Sequence, residues 1–162
     1  MTVRPARYDD IPRILEICDE ARSIMRADGN MTQWTGGYPS QEVFRADIDR
    51  SVGYVIADEG TLVGYFAFIP GIDRTYLKID GGQWLNDTEP YGTIHRLAST
   101  VQSKGVAKVC FDWCWSRIHN LRIDTHKDNN VMRHCIERYG FSYCGIIYLL
   151  NGDPRLAFQK FE

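Results

Sequence analysis

The chain has 162 residues, a formal net charge of −2 and a pI near 6.1, so it holds no general attraction for nucleic acid or an anionic membrane, and any anion site must be local. Hydrophobic residues make up 44% of it, enough for one core, and a single domain over residues 1–162 is expected. No apolar run reaches membrane-spanning length, MTVRPARYDD is no signal peptide, and five cysteines at irregular spacing form no disulfide framework, which together predict a cytoplasmic protein with reduced thiols.

TVRPA predicts a first strand. Asp9 or Asp10 then caps a helix whose apolar residues Ile11, Ile14, Leu15, Cys18, Ala21 and Met25 follow helical spacing, with Gly29 as its stop. After the Gly-rich connection GNMTQWTGGYP, Ser40 is the expected cap of a short second helix carrying Val43, Phe44 and Ile48. Two β-rich runs, Gly53 to Ala57 and Leu62 to Ile69, flank a turn at Asp58, Glu59 and Gly60 and predict a hairpin. A polar segment from Pro70 to Pro90 precedes the β-rich YGTIHRLAS, and a helix is predicted from Gly105 to His119.

LRIDT predicts the next strand, and DNNVMRHCIERYG a helix capped by Asp128 or Asn129 and stopped by Gly140. FSYCGIIYLL and RLAFQKF flank the turn cluster Asn151-Gly152-Asp153-Pro154, so a closing hairpin is expected. The order β α α β β β α β α β β is an α/β layout around a mixed sheet. Cys110 and Cys114, one helical turn apart, fit an amphipathic core pattern better than a metal site, and His126, His134 and Cys135 lack a fourth ligand.

The stretch STVQSKGVAK, residues 99–108, places one glycine among small and polar residues directly before a helix. A helix N-terminus offers unsatisfied N–H groups and partial positive charge, so the backbone from Gln102 through Ser103, Lys104, Gly105 and Val106 to Ala107 suits an anion, with Lys104 or Lys108 able to add a cation. A diphosphate-bearing ligand fits this loop. A P-loop is excluded, because no Gly-Lys-Ser or Gly-Lys-Thr follows.

Gln102 to Ala107, Q-S-K-G-V-A, resembles the acetyl-CoA pyrophosphate loop of the GCN5-related N-acetyltransferases (GNAT family), in which Gln or Arg is followed by two residues, Gly, one residue, and Gly or Ala. Asn129 and Gly140-Phe141 also keep the spacing that this family shows around its next helix, and the element order is similar over essentially the whole chain. The resemblance implies a mixed central sheet with helices on both faces and strands four and five splayed apart. It further implies acetyl-CoA as cosubstrate and no metal, with the pantetheine on the backbone of Leu97, Ala98 and Ser99 and the pyrophosphate on the loop. Asn129 is open between a plain N-cap and a contact to the pantetheine arm or substrate.

Transfer of an acetyl group to an alkylamine, whose pKa is near ~10, needs a base or a water relay to one. His95 is the first candidate: period-two alternation puts Tyr91, Thr93, His95 and Leu97 on one strand face, and similar enzymes carry an acidic or imidazole residue on this strand. Asp124 is the second. Backbone N–H groups around Ala98 are implied as the oxyanion partner. Many relatives carry a Tyr where Ile136 stands, so thiolate protonation falls to Tyr139, Tyr148 or solvent. In the implied fold the segment between the first two helices lies over the cleft, which makes Gln33, Trp34 and Tyr38 the expected acceptor wall.

The reading is an acetyl-CoA-dependent N-acetyltransferase acting in a ternary complex on a primary amine of a small molecule or peptide, with no nucleic acid or membrane partner; a homodimer is one assembly it allows. Two alternatives stand beside it: a non-catalytic acetyl-CoA-binding sensor or interaction module of the same fold, and transfer of a longer acyl group.

Overall fold

In the computed structural model, which describes residues 1–162, seven strands form one mixed sheet in the order β1-β2-β3-β4-β5-β7-β6. The strands are β1 (Thr2–Pro5), β2 (Gly53–Asp58), β3 (Thr61–Pro70), β4 (Gly92–Ser99), β5 (Asn120–Thr125), β6 (Ser142–Tyr148) and β7 (Pro154–Phe161). The helices are α1 (Ile11–Ala27), α2 (Gln41–Asp49), α3 (Val106–Trp115) and α4 (Asn130–Tyr139). Every neighbouring pair is antiparallel except β4 and β5, which run parallel.

Helices cover both faces. On one, the α1 stripe Ile11, Ile14, Ile17, Cys18 and Ala21 packs with Phe44 of α2 on Val55, Tyr65 and Ala98 of the sheet. On the other, α3 and α4 contribute Val106, Cys110, Phe111, Cys114 and Ile136 to a core with Phe66, Ile94, Leu97, Ile123 and Phe158. Each fully buried Ile or Phe stabilises the fold by roughly 1.5–3 kcal/mol, so these two layers hold the sheet between them. All five cysteines are free, and burial pushes the thiol of Cys110, which is hydrogen bonded to Cys114, well above its ordinary range, as suits an inert core residue.

Pairing between β4 and β5 is confined to Gly92–Leu121, Thr93–Arg122 and Ile94–Ile123. Beyond Ile94, β4 stays with β3 while β5 follows β7 as far as Thr125, so the two parallel strands splay. The register of β4 on β3 shifts at this point, Ala67 opposing His95 and Tyr65 opposing Ala98, and Arg96 has φ of 56°. This bulge corrects the expected alternation. Ile94 and Leu97 both face the α3/α4 core while Tyr91, His95 and Ala98 lie on the other side, because the extra residue moves every side chain after it to the opposite face.

Local chemistry differs from expectation in four other places. Asp10 stands before α1, but its carboxylate accepts from Arg4 and from the N–H of Arg7, so it ties β1 to the turn and does not cap the helix. Ser40 likewise makes no side-chain cap. Helix α3 ends at Trp115 rather than His119: the N–H groups of Arg117 and Ile118 both turn back to the carbonyl of Cys114, closing the helix. The segment 70–90 is also no mere connection. It carries a 3-10 turn, Arg74–Tyr76, and folds Tyr76 and Trp84 onto Tyr91, Cys144, Ile147 and Ala157 as a third core cluster. Asp80 and Ile146 exchange backbone hydrogen bonds of 2.9 and 2.8 Å, and Gly82 runs so close to β6 that a Cβ there would meet the Cys144 carbonyl at 2.0 Å.

Candidate functional site

A cavity of about 600 Å³ opens where β4 and β5 part, within the size range of small-molecule sites. It is walled by the α1–α2 connection, by β4 from Ile94 to Leu97, by Ile123 to Thr125 of β5, by the start of α4 and by the β6–β7 turn.

His95 is half-buried in this wall, and its Nε2 lies 2.9 Å from Oδ2 of Asp73. Asp73 begins the 3-10 turn and also accepts from the N–H of Thr75 at 2.9 Å and its hydroxyl at 2.6 Å. Burial alone would push the Asp73 carboxyl up, but the hydrogen bonds from His95 and Thr75 outweigh it and hold the group at about 2. At neutral pH Asp73 is therefore a carboxylate and can only accept, so Nε2 carries a proton and the neutral form of the imidazole has its free lone pair on Nδ1.

Asp124, at the end of β5, accepts a 2.5 Å hydrogen bond at Oδ2 from the hydroxyl of Tyr76. Burial, then the Asp124 charge, drives the Tyr76 phenol well above its ordinary value, so it stays a donor. Two carboxylates and an imidazole thus share one end of the cavity, a setting that attracts a cationic amine and can accept its proton.

The bulge is fixed from α2. Arg96 donates from Nε and Nη2 to Asp47 of α2 at 3.0 and 2.7 Å, and from Nη1 to the hydroxyl of Tyr38 at 3.1 Å. Asp47 also accepts from the hydroxyl of Tyr65. The acceptor wall is tied to α4 in the same manner: Gln33 accepts from Asn30 at 2.7 Å and from Asn129 at 3.1 Å. Asn129 meanwhile caps α4 by accepting from the N–H of Met132 at 3.1 Å, so its side chain serves both as cap and as strut. The Trp34 ring packs against the α1/α2 cluster, and its carbonyl accepts from Arg22 and Arg26.

At the entry of α3, Gly105 has φ of 82°, and a Cβ built on it would meet nothing within 4 Å. Glycine is demanded there by the left-handed backbone, with open space beyond it. The N–H of Val101 donates to Glu20 at 3.0 Å, but none from Gln102 to Lys108 meets a protein acceptor. Beside this loop is a second cavity of about 390 Å³, lined in part by Arg13, Thr100, Gln102 and Ser103. Thr125, which lines the first cavity, has a buried hydroxyl with no hydrogen-bond partner. A run of free N–H groups, the gap between β4 and β5 and this orphaned hydroxyl fit a long ligand with an anionic segment.

The structure brings His95, Asp124, Asn129, Gln33, Trp34, Tyr38 and Leu97 to one cavity and sets the loop Gln102–Lys108 apart from it. It does not bring Tyr139, which corrects the expectation of a thiolate acid there. That hydroxyl donates to Asp112 of α3 at 2.6 Å and the ring packs on Phe111 and Phe141, because α4 turns this face toward α3. Tyr148 lies outside the cavity as well, and Lys108 is paired with Asp112 at 2.7 Å. His126 is buried and His134 exposed, so the two point to different surroundings. Sequence reasoning missed Asp73, Asp47, Arg96, Thr125 and Arg155. Of these only Asp73 carried a local signal, the Asp-x-Thr spacing of a side-chain cap.

No model of a known protein family matches the chain. The phosphoribosylformylglycinamidine synthase subunit PurQ of a Synechocystis species is 30% identical over 91 residues, which span 55% of this chain and only 38% of that protein. A crystal structure of a GNAT-family acetyltransferase from Streptococcus agalactiae is 32% identical, covers 99% of this chain and 95% of its own, and superposes with a TM-score of 0.91. A ribosomal-protein-alanine N-acetyltransferase from Brucella melitensis shares the fold at 16% identity, a TM-score of 0.66 and full coverage of both chains (100% each). A phosphinothricin acetyltransferase of the GNAT superfamily from Sinorhizobium meliloti, solved in complex with AcCoA, does so at 14% identity and a TM-score of 0.65, over 98% of this chain and 86% of that one.

Proposed function

This chain belongs to the GNAT family of acetyltransferases, and from that premise we propose that it transfers an acetyl group from acetyl-CoA to a primary amine of a small molecule or peptide. The observation that carries the reading is the meeting of the His95–Asp73 and Asp124–Tyr76 pairs in one cavity at the point where β4 and β5 part. The AcCoA complex of the Sinorhizobium relative supports the donor.

When bound, acetyl-CoA supplies a thioester carbonyl that an amine attacks directly, so no acyl-enzyme is required. The free N–H groups from Gln102 to Lys108 hold the pyrophosphate, and Lys104 adds a cation. The backbone of Leu97, Ala98 and Ser99, on the β4 edge that β5 leaves bare, holds the pantetheine arm and meets charge developing on the acyl oxygen, with the orphaned Thr125 hydroxyl as a further donor. Asp124 and Asp73 draw the protonated amine in. His95 accepts the amine proton at Nδ1, and Asp73 stabilises the resulting imidazolium through Nε2. With Tyr139 bonded to Asp112, the departing sulfur takes its proton from solvent. Gln33, Trp34 and Tyr38 wall the acceptor.

The test is turnover of acetyl-CoA against a broad amine panel, with wild type and His95→Ala compared. Loss of the base lowers kcat by roughly 10²–10⁴-fold without a matching loss of acetyl-CoA affinity. Near-wild-type activity in His95→Ala removes the imidazole from the chemistry and makes Asp124 the base to test. Tight acetyl-CoA binding with no transfer to any amine supports instead the sensor module, the reading that the engagement of Tyr139 and the burial of Ile136 favour. Longer acyl-CoA donors in the same assay set the acyl preference.

A further inference from the structure

Arg155 is the second residue of β7, at the end of the turn cluster Asn151–Pro154, is only 8% exposed and lines the large cavity. Its one hydrogen bond within the protein runs from Nη1 to the carbonyl of its neighbour Pro154, at 2.8 Å. Nε and Nη2 donate to nothing, and no carboxylate lies within ion-pair distance. The other well-buried arginines differ: Arg96 is paired with Asp47 at 2.7 Å, and Arg122 with Asp87 at 3.0 Å between the rings of Trp84 and Tyr91. The acid nearest in sequence, Asp153, accepts from Asn151 across the turn at 3.2 Å and leaves Arg155 free.

Nε and Nη2 keep access to solvent through the cavity, and a guanidinium so enclosed without a counter-charge adds no ion pair to the fold, so packing does not explain it. Its surroundings do not relieve it either. Burial, then the Arg155 charge, holds His126 below its ordinary value; its Nδ1 accepts from the N–H of Asp128 at 3.0 Å, and Nε2 therefore donates to Thr32 at 2.8 Å. The cation faces a neutral ring and an open cavity.

The register of β5 on β7 places Asp124 opposite Ala157, and Arg155 lies two residues before Ala157 on the same face, roughly 7 Å along the strand. One cavity thus presents Asp73, Asp124 and the His95 imidazole at one end and, at the other, an unpaired, fork-shaped cation beside the turn carboxylate of Asp153, which is bonded to Asn151. Arg155 does not line the cavity beside the Gln102–Lys108 loop, so a pyrophosphate seated there is not its partner. We infer that the acceptor is a zwitterion, a small amine that also bears a carboxylate, with its amine at His95 and Asp124 and its carboxylate on Arg155. The inference rests on the transferase reading and narrows its substrate class.

The experiment measures kcat/KM for wild type, Arg155→Gln and Arg155→Lys with acetyl-CoA and matched acceptor pairs: the L-amino acids, β-alanine and 4-aminobutyrate, each beside its carboxamide. Calorimetric titration of the same compounds into the CoA-saturated protein runs in parallel. Wild type is expected to favour the best acid over its amide by roughly 10- to 100-fold, the worth of a charge-assisted contact. The ratio collapses toward one in Arg155→Gln and recovers in part in Arg155→Lys, and Tm does not fall in Arg155→Gln because no ion pair is broken. For the α-amino acids, intrinsic reactivity runs against the expected preference, since the α-amides are the more readily deprotonated amines. A ratio near one in wild type, or an unchanged ratio in Arg155→Gln, overturns the inference. If other amines of the broad panel are acetylated and none of these acids is, the inference is overturned while the transferase reading stands. If no amine at all is acetylated, the transferase reading falls and the titration decides the carboxylate contact alone: acid binding that depends on Arg155 upholds that contact, and absent or unchanged binding overturns it.

Discussion

Replacing Asp73 by Asn removes one negative charge from beneath His95 while leaving a side-chain oxygen that can still accept from Thr75. The carboxyl sits at about 2, where an ordinary aspartic acid titrates at 3.8, and at about 1.4 kcal/mol per pH unit that difference stabilises the fold by about 2.5 kcal/mol at neutral pH. The side chain is 21% exposed, so solvent screening trims this value only modestly. Because the folded-state value is depressed, the contribution is fully present above pH ~4, is lost as pH falls through ~2, and is nearly gone below that. Urea unfolding of wild type and Asp73→Asn at a series of pH values should therefore give a stability gap of about 1–2 kcal/mol at pH 7, the lower figure applying if Asn keeps the Thr75 bonds, and a gap that closes as pH approaches ~2. In the transferase reading kcat falls as well, because the imidazolium loses its counter-charge. A gap that is absent at pH 7, or the same at both ends of the series, refutes the ionic account of the pair.

Three further outcomes are expected. Gly105→Glu puts a carboxylate on the free N–H groups of the loop and a side chain on a left-handed backbone; the fold loses only about 1–2 kcal/mol while acetyl-CoA binding disappears, and unchanged calorimetric affinity in the folded variant removes the loop from the site. Asp47→Asn strips the buried Arg96 of its counter-charge and should lower stability by about 3–5 kcal/mol in denaturant unfolding; a loss under about 1 kcal/mol would show that the bulge does not depend on that pair. Trp34→Ala and Tyr38→Phe should raise the acceptor KM several-fold at unchanged acetyl-CoA affinity, whereas a fall in Tm with the acceptor KM unmoved would leave the Trp34 ring as packing for the α1/α2 core and the Tyr38 hydroxyl as an anchor for Arg96 alone.

The features legible in the sequence are those whose physics is local. Apolar spacing of 3.6 or two residues, the Asn129 cap, the Gly140 stop and the turn at Asn151–Pro154 act within a few residues, so they mark α1, α4 and the closing hairpin without knowledge of the rest. The glycine before α3 belongs with them, since a left-handed residue and a following helix are read from one short stretch. Asp10 and Ser40 show the limit even here: both have the residue type of a cap, but the cap is not made, and Arg4 of the preceding strand β1 takes the Asp10 carboxylate.

What the tertiary structure alone decided is the chemistry at the parting of β4 and β5. The bulge at Arg96 depends on a carboxylate in α2 nearly fifty residues away, and no local pattern signals the face reversal that sends Leu97 to the α3/α4 core while His95 stays on the other side. Asp73 comes from a segment that reads as polar connection, and reaches His95 only because Tyr76 and Trp84 bury that segment against β6 and β7. Arg155 is one basic residue among nineteen in the sequence; its distinction is the missing partner, which is a property of everything packed around it. Periodicity fixes which way a side chain faces so long as the backbone repeats, but a site is built where the repeat is broken and residues far apart in the chain supply the charges.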